Sequence, residues 1–583
     1  MRITDLYTYI ALKMGINESY DKTVGKAIRE ILVNFCQKCK NPAIWCNGQH
    51  TRMLMADYIF ELKKVKYIID SNADQMMDGG FKIITPDRID SDNIDAVIIS
   101  TFKYRNEIKN EISAEFPKLI YLDIYDELSK QGIKLTSGYY SVSFPYVRYK
   151  ELNRLQRQLS GCDEIKQQIE IYKNIAKQYF LIKNIPATIN IYYRLVDIDQ
   201  DNTNKEILRL LIELRNKIKS SIRSISENNT VMICLDGLRR RDVLESKTPK
   251  IKKWLDEHTQ FFINAYSVST STYESLIPVY SNNNDLRTKY FDKDYVDEAD
   301  CVFICKAEEQ CRNIYFYGDG STYISGDDIK RENNPQTITE KLWDFINDAT
   351  IETNGLFYIH ILYETHYSYP NPYTKEEIVA DGTNIMFDYL ENKGGKLRTN
   401  YVRQQADSLR YVDDVMGDFL ENIKCKIVLF ADHGNILLEQ SEKPDKIETD
   451  KYSYADELLE IPIAIYSHNQ NIGEDSRLVS QMELSRMICD LLDDKKYDVP
   501  TVKYVKSQRS EIYNPDFRYL YKKYGKEREL LALERFTFDD GTFIVIYSNG
   551  EMTGETASHD KLSENDIYKY YNMVKKDVTV INV

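Results

Sequence analysis

Apolar residues along this chain keep two alternating rhythms. A-I-W-C (43–46), V-K-Y-I-I-D (65–70), F-K-I-I (81–84), D-A-V-I-I-S-T (95–101) and K-L-I-Y-L-D (118–123) are near-continuous apolar runs of strand length. Between the first two, Met53, Leu54 and Tyr58 recur at helical spacing. Strands alternating with helices predict a parallel sheet. Ahead of them, Tyr7, Ile10, Ala11 and Met14, then Val24, Ile28, Ile31 and Leu32, mark helices over residues 1 to about 35. Residues 149–228 change character. Leu152, Leu155 and Leu159, Ile169 and Ile175, and Ile207, Leu208, Leu211 and Leu214 predict a helical connector with no convincing internal repeat.

From Thr230 the strand–helix alternation resumes, with strands predicted at 231–236, 301–305, 355–362, 426–431 and 461–466. In the tail, R-F-T-F-D-D-G-T-F-I-V-I-Y-S-N-G-E-M sets Asp-Gly and Asn-Gly between β-rich runs, which predicts hairpins. They are read as an antiparallel edge added to the preceding domain. The chain is therefore α/β. A mixed or parallel sheet sandwiched by helices is expected over 229–583, with 510–583 its β-rich end. A smaller Rossmann-like α/β domain is expected over 1–148, and the helical connector over 149–228.

Composition narrows the classes. At 583 residues the chain is too long for one ordinary core. A formal net charge of −14 argues against nucleic acid as a partner, since that requires a basic face. The N-terminus M-R-I-T-D-L-Y-T-Y-I has no signal-peptide pattern, and no apolar run approaches the roughly 18–20 residues of a membrane span. A cytoplasmic protein without a transmembrane segment is expected. Cys36 and Cys39 form a CxxC with no second pair at zinc-finger spacing, and the ten cysteines read as reduced core residues.

Two strings carry the chemistry. V-M-I-C-L-D-G-L-R ends a buried-strand run at Asp236, and I-V-L-F-A-D-H-G-N ends one at Asp432 and His433. Acidic groups at the C-terminal ends of parallel strands lie where open α/β sheets place their ligands. Two carboxylates and an imidazole suit a divalent cation, with zinc and manganese both fitting the set and one principal site expected. Between them lie S-V-S-T-S-T-Y-E-S-L-I-P (267–278), rich in hydroxyls, and H-I-L-Y-E-T-H-Y-S-Y-P-N-P-Y (360–373), which carries His366. A cation beside a Ser or Thr hydroxyl makes it a competent nucleophile. His366 would bind phosphate or protonate a leaving group.

With these segments in this order, 230–510 resembles the alkaline phosphatase superfamily in its sulfatase-like branch, which includes lipoteichoic acid synthases and phosphoethanolamine transferases. The resemblance implies Asp236, Asp432 and His433 as metal ligands. Aligning S-V-S-T-S-T-Y-E-S-L-I-P to the transferase pattern S-C-G-T-x-T-x-x-S-V-P implies Thr270 as nucleophile and ligand, with Ser269 in a sulfatase-style register. The C-x-P-S-R motif that sulfatases convert to formylglycine is absent, which disfavours sulfate-ester hydrolysis. The Asp-x-x-x-His pair that builds a second zinc site in the phosphodiesterase branch is also absent.

The smaller domain resembles Rossmann-like units appended to sugar-modifying enzymes, in which G-x-G-x-H-T follows a strand. Here the string is C-N-G-Q-H-T. The resemblance implies a nucleotide-type site at Gly48, His50 and Asp70, with Cys46 standing where the first glycine belongs.

The resulting expectation is a metal-dependent phosphotransferase. It moves a phosphoethanolamine- or phosphoglycerol-type group from a donor to a glycan-type acceptor through a covalent phosphothreonine. A hydrolase on the same site and a non-catalytic binding protein are the alternatives. An oligomer is compatible with the sequence.

Overall fold

A computed structural model describes residues 2–580 apart from 17–18, 59–60, 72–76, 79–80, 103, 132, 134–144, 200, 285–294, 319–322, 327–328, 333–335, 367–368, 375–393, 438–453, 513–517, 519–520, 524 and 526. The chain forms two compact units, Met1–Glu151 and Leu152–Val583.

In the first unit the predicted apolar runs become a six-stranded sheet. Its order is Met77–Asp78, Phe81–Ile84, Tyr67–Ile69, Pro42–Trp45, Ala96–Ile99 and Ile120–Asp123, and only the first pair is antiparallel. The central strands Pro42–Trp45 and Ala96–Ile99 are buried at every position. Both faces are covered. Ile44, Ile68 and Ile98 pack with Ile28, Leu32 and Leu128 on one side, and Ala43, Ile69 and Val97 with Ile108 and Ile112 on the other. Continuous β-branched runs are what a sheet buried on both faces requires. Cys36 and Cys39 are buried, and burial pushes the Cys36 thiol up to about 11, which fits inert core thiols.

The second unit begins with four helices whose apolar positions follow the predicted period: Pro145–Ser160, which starts within the first unit, then Ile165–Leu181, Ile185–Ile198 and Asn202–Arg223. Asn184 caps the third through Ala187 N–H, and its Nδ2 reaches Tyr411 Oη at 3.2 Å.

The main sheet has eight strands in the order Ile329–Glu332, Ile314–Tyr317, Leu356–Ile361, Thr230–Leu235, Lys426–Phe430, Ile463–Tyr466, Gln260–Phe262 and Gly473–Asp475. Leu356–Ile361, Thr230–Leu235 and Lys426–Phe430 are adjacent and parallel, and all their residues are buried. Their register aligns His360, Cys234 and Phe430 side by side. Asp236 and Asp432 each lie two residues beyond that line, so they emerge level with one another.

Two expectations need correction. The run C-V-F-I-C at 301–305 is not a strand; Val302–Glu309 is a helix. Five apolar residues cannot distinguish the two states, and the K-A-E-E that follows extends a helix. The β-rich tail is not an edge of the main sheet. Tyr504–Arg509, Leu533–Phe538, Phe543–Tyr547 and Met552–Glu555 form a separate antiparallel sheet. Its hairpins turn where predicted, with Gly541 and Gly550 at φ of 79° and 84°. Among the described residues, no helix is long and apolar enough to cross a membrane.

Candidate metal and nucleophile site

Side chains converge at the C-terminal ends of the three central strands. Asp236 and Asp432 are fully buried. Asp432 Oδ1 accepts the N–H groups of Gly237 (2.9 Å) and His433 (2.8 Å). Asp236 Oδ2 faces His360 Nε2 at 3.0 Å and accepts from Thr272 Oγ1 at 3.3 Å. The other oxygen of each carboxylate, Asp236 Oδ1 and Asp432 Oδ2, is buried and has no hydrogen-bond partner. A buried ionised oxygen without a partner is costly. Two of them in one cluster of imidazoles are what a divalent cation would satisfy.

The histidines are oriented to match. His433 Nδ1 lies 2.6 Å from the Gly434 carbonyl, an acceptor only, so Nδ1 carries the proton and Nε2 presents its lone pair. That Nε2 is 3.3 Å from Thr272 Oγ1 and 3.9 Å from Asp236 Oδ1. His366 Nε2 is also 3.9 Å from Asp236 Oδ1, and its ring meets His433 edge-on at 5.9 Å. Two ligand sets share Asp236: one with His366 and His433, the other with His360 and Asp432. Within each set the ligand atoms lie within 4.8 Å of one another.

Electrostatics follow from the packing. Burial pushes the Asp236 carboxyl upward, but His366, His360 and His433 outweigh it and hold the group down to about 2. Burial opposes charge on His433, yet Asp432 and Asp236 raise its pKa above the ordinary histidine value.

The glycines after each acidic residue are required sterically. Gly237 has φ of +69°, and a Cβ there would lie 2.2 Å from Asn435 Nδ2. A Cβ on Gly434 would lie 2.0 Å from the Glu457 carbonyl oxygen. Arg239, also fully buried, is neutralised by Asp242 through contacts of 2.8 and 2.6 Å, so its charge serves the loop.

The hydroxyl that reaches this cluster belongs to Thr272, not to Thr270 or Ser269. Thr272 is the first residue of the helix Thr272–Ser281, with Ser271 at the N-cap. Both threonines are half-buried, but the helix start brings the Thr272 hydroxyl onto Asp236 and His433. Ser269 Oγ is used elsewhere and donates to Glu274 Oε2 at 2.9 Å. The register that starts at Ser267 selects Thr270 and leaves one extra residue before Pro278, whereas the helix start sets Thr272, two residues further on, against the carboxylates. His360 was not singled out from sequence. Within L-F-Y-I-H-I it reads as one polar residue in a buried strand, and an imidazole at the penultimate position of such a run was the available signal.

In the first unit, Gly48 leaves open space at its Cβ position. His50 and Asp70 are engaged internally. His50 Nε2 is 2.6 Å from Tyr125 Oη and Nδ1 3.4 Å from Ser100 Oγ, while Asp70 Oδ2 accepts the Asn47 N–H at 2.9 Å. Cys46 has φ of 92°, so a cysteine holds the left-handed backbone that glycine favours.

Residues 278–494, just over a third of the chain, match the family model described as Sulfatase. The match takes in His360, His366, Asp432 and His433 and starts after Asp236 and Thr272. No curated protein matches the chain. Among solved structures, the chain is similar to the phosphonate monoester hydrolase SpPMH from Silicibacter pomeroyi (11% identity, 60% of this chain, 95% of that one, TM-score 0.43). It is similar to a putative sulfatase from Bacteroides thetaiotaomicron (12% identity, 60% and 92% coverage, TM-score 0.44). It is also similar to the C-terminal periplasmic domain of EcEptC from Escherichia coli (16% identity, 50% and 91% coverage, TM-score 0.36).

Proposed function

We propose, from the premise that residues 278–494 are a sulfatase-family, alkaline-phosphatase-like enzyme domain, that this chain is a metal-dependent phosphotransferase with Thr272 as its nucleophile. One observation carries the reading: Thr272 Oγ1 lies 3.3 Å from both Asp236 Oδ2 and His433 Nε2, beside two buried carboxylate oxygens without partners. Asp236, Asp432, His433 and Thr272 would hold a divalent cation, zinc or manganese. The cation, when bound, would neutralise the carboxylates and lower the hydroxyl pKa of Thr272.

The chain's own groups account for the rest. Asp236, held ionised, accepts the Thr272 hydroxyl at Oδ2 and would pass its proton to solvent, so that the Thr272 oxygen attacks, and later departs, unprotonated. The Thr272 oxygen bonds to phosphorus as the donor's P–O bond breaks. His366, its side chain 19% exposed and the most open of the three imidazoles, passes a proton to the departing oxygen. An acceptor hydroxyl on a glycan or glycan precursor then attacks the phosphothreonine, giving its proton back to His366 as the bond to Thr272 breaks. A threonine at this position, with no C-x-P-S-R motif in the chain, favours phosphoryl over sulfuryl transfer. Water in place of the acceptor would make the same site a hydrolase.

The test uses a chromogenic phosphodiester with zinc or manganese, with and without sugar acceptors. Thr272→Ala is expected to lower turnover by about 10³-fold or more while the protein stays folded, and Thr270→Ala to leave turnover within a few-fold. Loss of turnover in Thr270→Ala alone would reverse the assignment.

A further inference from the structure

His360 occupies a position that otherwise calls for an apolar residue. It is the fifth residue of Leu356–Ile361, where every side chain is buried, and is itself wholly inaccessible. Its register partner is Cys234. Its ring therefore lies diagonal to Asp236 on the same face of the sheet.

Its hydrogen bonding is lopsided. Nε2 is 3.0 Å from Asp236 Oδ2, while Nδ1 is buried without a partner. The ionised carboxylate only accepts, so Nε2 carries the proton. The ring stacks on Tyr358 with centroids 5.8 Å apart. Behind it, buried Lys341 donates Nζ–H to the His360 carbonyl at 2.5 Å. Ring and backbone are both fixed. The one polar bond the ring makes falls on the Asp236 oxygen that also accepts from Thr272, and Asp236 Oδ1 is left bare toward His366 and His433.

We propose that His360 is a positioning residue. By donating Nε2–H to Oδ2 it sets the rotation of the Asp236 carboxylate, so that Oδ1 faces the cation and Oδ2 faces the nucleophile. The inference rests on the metal reading above and adds a residue to it. His360 acts through Asp236 rather than as a ligand, because Nε2 is committed to the carboxylate. Partners that orient a metal ligand in this way are commonly worth 10–100-fold in metal affinity.

The full chain, stripped with a chelator, is titrated with zinc against a competing indicator as wild type, His360→Gln and His360→Met. Glutamine keeps an N–H donor and methionine has none. His360→Met is expected to bind zinc about 10–100-fold more weakly at unchanged stoichiometry, and His360→Gln to stay within a few-fold of wild type. Wild-type zinc affinity in His360→Met would overturn the positioning role. Equal weakening in both variants would also overturn it, since the donor would then not be what matters. A wild-type protein that binds no zinc would instead bring down the metal reading itself. Should His360→Met not fold, cobalt(II) spectra of wild type and His360→Gln decide. Matching visible bands are expected, and a shifted ligand-field band would make His360 a ligand and overturn the proposal.

Discussion

Asn435 Nδ2 donates to the carbonyl of Gly237 at 3.0 Å, and a Cβ on Gly237 would lie 2.2 Å from that same nitrogen. The two strand-end loops are thus interlocked, Gly237 N–H reaching Asp432 in return at 2.9 Å. Gly237→Ala would have to adopt φ of +69° and push Asn435 aside. Strain of this kind costs about 1–3 kcal/mol. A lower urea midpoint and weaker zinc binding are expected together. Weaker zinc binding without lost stability would show that the interlock is not structural.

Cation binding should depend on pH through His433. Burial works against its charge, but Asp432 and Asp236 raise its pKa in the metal-free protein. A ligand must be neutral, so a proton leaves as the metal enters. Zinc affinity is expected to rise with pH and to level off above the raised His433 value. The sign for stability is the reverse. A raised folded pKa stabilises the metal-free protein below the ordinary histidine value, near 6.5, and that contribution is lost as pH rises through the raised one. Competition titrations from about pH 5.5 to 8.5 check the first statement, and unfolding of the stripped protein checks the second.

His50 predicts acid sensitivity in the first unit. Burial lowers its pKa from 6.5 to about 4. The unfolded chain therefore takes up the proton first, and stability is full above 6.5 and falls as pH drops toward 4. Hydrogen exchange of peptides spanning 42–58 should accelerate over that window. His50→Gln, with an amide that can still meet Tyr125, should flatten the dependence.

Gln481 ties the loop that leads to Thr272 to the Asp432 strand. Its Nε2 donates to the Asp432 carbonyl at 2.9 Å, and its Oε1 accepts the Val268 N–H at 3.1 Å. Ser267 Oγ stands 2.6 Å from the same Asp432 carbonyl. Gln481→Met keeps the volume and leaves these buried groups short of partners, at about 1–3 kcal/mol. A lowered melting temperature is expected together with a reduced kcat at nearly unchanged KM, because Thr272 would lose its alignment. A changed KM with kcat intact would place Gln481 in substrate binding instead.

Much of this molecule is written locally. T-V-M-I-C-L, L-F-Y-I-H-I and K-I-V-L-F are apolar without interruption, which only strands buried on both faces can use. Each acidic residue that ends such a run before glycine falls at the ligand-bearing edge wherever the strand sits in the sheet. The gathering of Asp236, Asp432 and His433 at one edge of the sheet was legible for that reason. What depended on tertiary structure was anything set by a register or a helix start. Thr270 and Thr272 are chemically identical, and only the helix start at Thr272, after the extended Ser271, turns one of them toward the carboxylates. His360 differs from a packed strand histidine only because the pairing with Cys234 sets its ring against Asp236. C-V-F-I-C, with equal claims to helix and strand, was decided by its neighbours. Periodicity is a property of consecutive residues, whereas these contacts join positions tens to hundreds of residues apart, and their geometry exists only once the sheet has assembled.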